Sequence, residues 1–238
     1  MAADDTIQAV RDLLREGGDA ALPSLTREEL FSLGDAPQLV HAGDVEWWSG
    51  LDDAGRALVA QTAQRGLIAR NLLVAEPGRD DFVADRLVQV VLRARREPSW
   101  LIVLREPETS VDTWLVASGI DLDAHRTAAV LISARVEGIY ANRLTGADLG
   151  LRTVLGWLLG APAEGQSYIG RTVEVIRPRE DGVRPTIADL RLIVMTGATS
   201  VHVSELDVDG GIGPAAATTP DELLGRLAVV LGSDVTSG

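Results

Sequence analysis

The segment Asp121–His125 (sequence DLDAH) contains residue types that could coordinate a metal ion or act in acid–base catalysis. Alternate residues of an extended segment lie on one side, so Asp121, Asp123 and His125 could face a common ligand. The segment connects two predicted strands, however, and Gly119 and the polar residues after it are typical of a solvated connection. We therefore predict a turn with no metal and no catalytic residue. An enzyme of unrecognised type centred on this segment is kept as a third hypothesis.

A second acidic segment, Asp207–Gly211 (DVDGG), is similar to part of a calcium-binding loop. It lacks the later bidentate glutamate that completes such loops. The chain contains no cysteine, only 3 histidines and no lysine. These absences exclude disulfides, thiolate metal sites, a cysteine nucleophile and a lysine Schiff base. No nucleophile–base pair is recognisable, and we predict no cofactor.

Arginines are concentrated in a predicted helix that ends near residue 96. Arg93, Arg95 and Arg96 could contact phosphates if the region 51–105 formed a winged-helix-like DNA reader. The formal net charge of −13 opposes that interpretation, because nucleic-acid binding proteins present basic surfaces. A DNA-associated regulator is therefore the alternative hypothesis, and nucleic acid is not the expected partner.

Two adjacent tryptophans, Trp47 and Trp48, lie in a segment (34–50) that has no regular hydrophobic period. Tryptophan is enriched at the centres of protein interfaces. Adjacent side chains point in different directions, so one could be buried while the other contacts a partner. The alternative is that both cover the edge of a core. We take Trp47 and Trp48 as the candidate partner-binding residues.

The elements that must position these residues fall into two sections. Residues 1–98 predict a helical N-terminal region, and residues 99–238 predict a strand-rich body with helices at about 146–159 and 220–231. The expected helix starts include a capping box at Thr26, a cap at Ser49, a cap at Thr145 and the sequence Thr219-Pro220. Composition (46% hydrophobic, 24% charged) is that of a globular chain, and one compact unit is expected.

The predicted strands of the body are separated by short connections, which favours antiparallel neighbours. The fold class is therefore predicted to be α+β, mainly an antiparallel sheet with helices. The blocks 100–159 and 168–231 each contain several strands followed by one helix, which suggests two related halves. No basic and apolar leader and no membrane-spanning stretch is visible, so a cytoplasmic protein is expected.

Two segments resemble EspG-type proteins of type VII secretion. The run Leu51–Leu67 (LDDAGRALVAQTAQRGL) looks like their helix followed by Arg-Gly-Leu, and Asp85–Arg96 followed by Trp100–Leu104 is similar to their helix leading into the first core strands. The likeness covers about residues 45–235, and residues 1–44 have no counterpart. The resemblance implies a cytosolic adaptor without catalysis, whose partner is a secretion substrate made of a helical pair with an apolar tip. It transfers no binding residue, and the oligomeric state stays open.

Overall fold

A computed structural model describes residues 3–34, 41–76, 78, 82–106, 113–123, 126–162, 164–177, 188–207 and 209–231. The helices in these residues are α1 (Ala3–Gly17), α2 (Arg27–Ser32), α3 (Ala42–Ser49), α4 (Asp53–Ala69), α5 (Arg86–Arg96), α6 (Ala147–Leu158) and α7 (Pro220–Leu231). The strands are β1 (Asp19–Thr26), β2 (Leu73–Ala75), β3 (Phe82–Ala84), β4 (Leu101–Glu106), β5 (Thr113–Asp123), β6 (Arg126–Val136), β7 (Ile139–Gly146), β8 (Tyr168–Ile176), β9 (Leu190–Gly197), β10 (Val201–Glu205) and β11 (Ala216–Thr218).

One antiparallel sheet of nine strands organises the molecule, in the order β1-β7-β6-β5-β4-β8-β9-β10-β11. The strands β4 to β7 run outward from the centre in one direction, and β8 to β11 run outward in the other. The two central strands, β4 and β8, pair antiparallel. Each half is a meander of four strands followed by one helix. The α+β class, the mainly antiparallel sheet and the two strand–helix halves are confirmed.

Helices α6 and α7 cover one face of this sheet, which we call the C-helix face. Strand residues that alternate toward this face form a buried apolar core with the stripes Leu151, Val154, Leu158 of α6 and Leu223, Leu227, Leu231 of α7. Gly150 allows the close approach of α6, because a Cβ there would lie 2.6 Å from the Cβ of Val130 on β6.

Arg171 on β8 also points toward the C-helix face, although its neighbours on that side are apolar. Its guanidinium donates to the carbonyls of Leu158 (3.1 Å) and Gly160 (2.9 Å), which lie at the C-terminal end of α6. It also pairs with Glu106 at 3.0 Å and lies 4.8 Å from the ring centroid of Trp157. A cation suits this position because the last carbonyls of a helix have no intrahelical donor.

Among the described residues, helices cover the opposite face of the sheet, which we call the N-helix face, only over its first half. Helix α5 buries Val88 and Val91 against strand residues that include Leu131 and Leu144, and α1 packs beside α5. The helices α2 and α4 complete this layer, packing against each other. The N-terminal section therefore supplies the second layer for β1 and β5–β7.

The N-terminal section is not purely helical, contrary to our expectation. β1 joins the sheet beside β7, and β2 pairs with β3 in a separate hairpin. β1 was missed because Pro23 interrupts it and the register shifts between Leu22 and Leu25. Proline cannot donate to a ladder and is tolerated at a sheet edge, which is where β1 lies.

Part of the segment predicted as irregular also forms a helix, α3. Its cap is His41, whose Nδ1 accepts from the backbone N–H of Gly43 at 3.1 Å. Ser49 and Thr145 are not caps: Asp52 caps α4, and Gly146 precedes α6 without a side-chain cap. The capping box at Thr26 and the helix start at Thr219-Pro220 are confirmed.

Candidate protein-binding surface

The second half of the N-helix face carries partly exposed side chains of three strands. Strand alternation places Val173 and Val194 toward the C-helix face, where both are fully buried, and their chain neighbours on the other side. In the described part of the chain, no helix packs along β8, β9 and β10 on this side. We call this surface the open face; its partly exposed residues are Thr172, Glu174, Arg191, Ile193, Met195 and His202, whereas Ser204, opposite Ile193 on the same side, is buried.

The open face has an apolar section and a charged end. Ile193 and Met195 follow each other on the same side of β9. His202 of the adjacent strand β10 pairs with Met195. At the end toward the sheet centre, Glu174 lies between two arginines. Its Oε1 is 3.3 Å from Nε of Arg191, and its Oε2 is 3.4 Å from Nη2 of Arg105 on β4.

The same side of the first half is closed around a buried carboxylate. Asp44 of α3 is fully buried and accepts hydrogen bonds from Arg135 (2.7 and 2.8 Å), from the Tyr140 hydroxyl (2.8 Å) and from Arg27 (3.2 Å). Burial by itself would raise the pKa of Asp44, but the bonds from Arg135, Tyr140 and Arg27 outweigh it and lower that pKa to about 2. This network fastens α3 to β6 and β7.

Trp47 and Trp48 are half-buried and engaged within the molecule. The ring of Trp48 stacks on Phe31, with centroids 4.8 Å apart and planes inclined by 3°. The guanidinium of Arg27 lies 4.0 Å from the ring centroid of Trp47. Both tryptophans are thus partly exposed and partly used to hold α3 against α2. That they contact a partner stays a prediction.

The three arginines of the alternative hypothesis do not share a surface. Arg95 is 1% exposed, donates to the Ser133 hydroxyl at 3.4 Å and lies over the Tyr140 ring. Arg93 is 3.7 Å from Glu97, and Arg96 donates to the Leu33 carbonyl at 2.6 Å. The buried face of α5 packs on the sheet. The structure therefore does not bring Arg93, Arg95 and Arg96 together as phosphate ligands, because Arg95 is enclosed.

The described residues of the two acidic segments do not gather a set of metal ligands. Asp121 is exposed near the end of β5, Asp123 pairs through its backbone with Arg126, and His125 lies outside the described residues. Asp207 accepts from the backbone N–H of Gly211 at 2.5 Å, as in a tight turn. Among the residues that the structure describes, no three histidines or acids come close enough to share an ion. None of the helices in this part has the length and apolar character needed to cross a bilayer.

Sequence reasoning missed the open face, although a signal for it exists. β8 alternates between apolar residues and Gly170, Thr172 and Glu174, which is typical of a strand with one uncovered side. The buried Arg171 obscured this pattern because it places a charge on the apolar side. The pairing of Arg105 with Glu174 depends on the contact between β4 and β8, which the sequence does not specify.

Comparison with known proteins supports the fold. No family model matches the chain, and no curated protein matches it either. Among solved structures, the chain is similar to the Mycobacterium tuberculosis type VII secretion system chaperone EspG5, determined in complex with the PE25-PPE41 dimer. The TM-score is 0.51 at 11% identity, over 90% of this chain and 96% of that chain. At this identity the likeness shows a shared fold. Its coverage of 90% of the chain extends into residues 1–44, for which the sequence had indicated no counterpart.

Proposed function

We propose that this protein is a non-enzymatic adaptor or secretion chaperone of the cytoplasm, and that the open face is its docking surface. The observation that carries the proposal is the half-covered sheet. Ile193 and Met195 stay partly exposed on a face whose other half is buried beneath helices over β5–β7. An exposed apolar surface with a polar rim is typical of protein interaction sites.

The geometry favours a helical partner. On the first half, the N-helix face receives the amphipathic helices α1 and α5, which pack side by side. The second half has the same meander and the same opposite layer, so a pair of helices from another protein fits where α1 and α5 have no equivalent. The similarity to a chaperone solved with the PE25-PPE41 dimer supports a secretion substrate as this partner.

A site-specific crosslink in the host tests the proposal. A photoreactive phenylalanine analogue replaces Met195 on the open face, and in the control it replaces Val229, which is 79% exposed on the outer side of α7. We expect a crosslink to one helical protein from position 195 and none from position 229. Equal capture at both positions, or none at 195 in a folded variant, would contradict the proposed docking surface.

A further inference from the structure

Three charged side chains cross the central strands at one end of the open face. Arg105 of β4, Glu174 of β8 and Arg191 of β9 form a row that we call the charge ladder. The side chain of Arg105 is 53% exposed, that of Arg191 28% and that of Glu174 20%. The ladder is therefore accessible, with its most exposed cation nearest the sheet centre.

The charge of the ladder is opposite to that of the molecule. Two arginines and one glutamate give a net charge of +1, whereas the chain carries −13. Much of the excess acid, a net −9, belongs to residues 1–53, whose strand β1 lies at the far edge of the sheet. This local positive site attracts an anionic group, whereas the net negative charge of the whole chain opposes the docking of a second copy.

The arginines retain donors for that group. A guanidinium has five N–H donors. Arg105 uses a single Nη2 contact of 3.4 Å to Glu174. Arg191 uses Nε toward Glu174 and Nη1 toward the Asp207 carbonyl, at 2.9 Å. A carboxylate that approaches from solvent can take the remaining donors of Arg105 without breaking the ladder, and Glu174 keeps both guanidinium groups oriented.

Ile193 follows Arg191 on the same side of β9. Two residues along a strand span about 6.6 Å. Side chains three or four positions apart on a helix are separated by about 5–6 Å. A helix lying on the open face can thus place an apolar side chain on Ile193 and a carboxylate on the ladder at the same time.

From this geometry we infer that the docking element of the partner carries an aspartate or glutamate three or four residues from an apolar side chain, and that Arg105 and Arg191 bind this carboxylate. The inference rests on the proposed function and adds the chemistry of the partner. In this arrangement Ile193 and Met195 make the apolar contact with the partner helix, and the charge ladder determines how far along the open face that helix lies.

A displayed library of two-helix hairpins tests the inference without knowledge of the natural partner. Surface positions on one helix are randomised, and binders are selected on the full-length protein. Binders that lose affinity for an Ile193→Arg variant are classed as open-face binders. We expect these to be enriched in Asp or Glu at three or four positions from an apolar residue, compared with the unselected library.

The affinities of arginine variants then measure the contact between the charge ladder and the carboxylate of the binder. Arg105→Gln and Arg191→Gln should each weaken open-face binders about tenfold, the lower end of the effect of close interfacial charge pairs, and more so at low salt. Arg105→Lys keeps the charge and should retain most of the affinity. Arg226→Gln is the control, since Arg226 pairs with Glu205 in the α7 layer. Unaltered melting temperatures confirm that each variant folds.

The outcomes separate the two proposals. Open-face binders without acidic enrichment, or with affinities unchanged by both glutamine variants, overturn the inference and leave the adaptor function in place. A selection without any Ile193-dependent binder, together with no crosslink from position 195, removes the proposed function and the inference with it.

Discussion

The two halves of the sheet share a topology but differ in what covers their N-helix face. In the first half, Val116, Leu131 and Leu144 are at most 1% exposed beneath α1 and α5. In the second half, Ile193 and Met195 occupy the same side and remain partly exposed. The difference teaches that the N-terminal section acts as an internal partner for one half only. In the described residues, the second half has the same framework without such an internal partner.

The halves also use charge differently. In the first half a buried carboxylate, Asp44, is surrounded by donors and fixes one helix in place. In the second half Glu174 lies between Arg191 and Arg105, the latter from the central strand β4 of the first half, and both arginines reach solvent. Enclosed charges need complete pairing, whereas exposed ones can exchange partners. The first arrangement suits a permanent contact, and the second suits a reversible one.

Removing the carboxylate of Asp44 should produce the largest difference in stability between changes made in the two halves. In Asp44→Ala the guanidinium of Arg135 and the Tyr140 hydroxyl lose the buried carboxylate that accepts their hydrogen bonds. Breaking a buried pair in this way costs about 3–5 kcal/mol of the free energy of unfolding. Urea denaturation checks the value, and Glu174→Ala on the open face is the matched control, expected to cost about 1 kcal/mol or less. Equal losses would mean that the two halves are equally closed.

Truncating apolar side chains should cause the next largest difference in stability between the two halves. Leu131→Ala removes a fully buried side chain beneath the N-terminal helices and should lower the free energy of unfolding by about 3 kcal/mol. Ile193→Ala removes a partly exposed side chain and should lower it by about 1 kcal/mol, because solvent already reaches the site. Urea melts of both variants give the comparison. A loss at Ile193 as large as that at Leu131 would contradict an open second half.

Low pH should destabilise the first half of the sheet by protonating Asp44. Its folded pKa of about 2 lies below the unfolded value of about 3.9, so the folded state binds this proton less well. The ionised Asp44 therefore contributes about 2 kcal/mol to the free energy of unfolding. This contribution is fully present above about pH 5 and is lost as the pH falls toward 2. The free energy of unfolding of Asp44→Asn, measured from pH 6 to pH 2, should fall less steeply than that of the wild type. Parallel pH profiles would contradict this assignment.

Tryptophan truncations should have smaller effects on stability than the loss of Asp44 or Leu131. Trp48→Ala loses the stack on Phe31 and should cost about 2 kcal/mol, while Trp47→Ala loses the contact with Arg27 and should cost about 1 kcal/mol. If either residue is also a partner anchor, its replacement should weaken binding of the crosslinked partner by about 2 kcal/mol. Unchanged binding in both variants would confine these tryptophans to holding α3.

Local sequence signals predicted the elements whose ends are set by their own residues. Thr219-Pro220 starts α7 and Thr26 starts α2, because a side chain satisfies backbone donors a few residues away. β1 and α3 were missed because distant contacts stabilise them: β1 needs β7, and α3 needs Arg135 and Tyr140. The charge ladder was missed for the same reason, since strand pairing alone brings Arg105 to Glu174.

The pairing of β1 with β7 has a consequence for biosynthesis. Asp19 and Arg143, which form an ion pair across these strands, are 124 residues apart in the chain. A nascent chain emerges from the ribosome N-terminus first, at about 5–20 residues per second. β1 is therefore synthesised about 6–25 seconds before β7, the strand with which it pairs. The first half can close as soon as β7 and α6 emerge, while β8 to α7 are still being translated. The surface proposed to receive the partner is thus the last part of the sheet to be made.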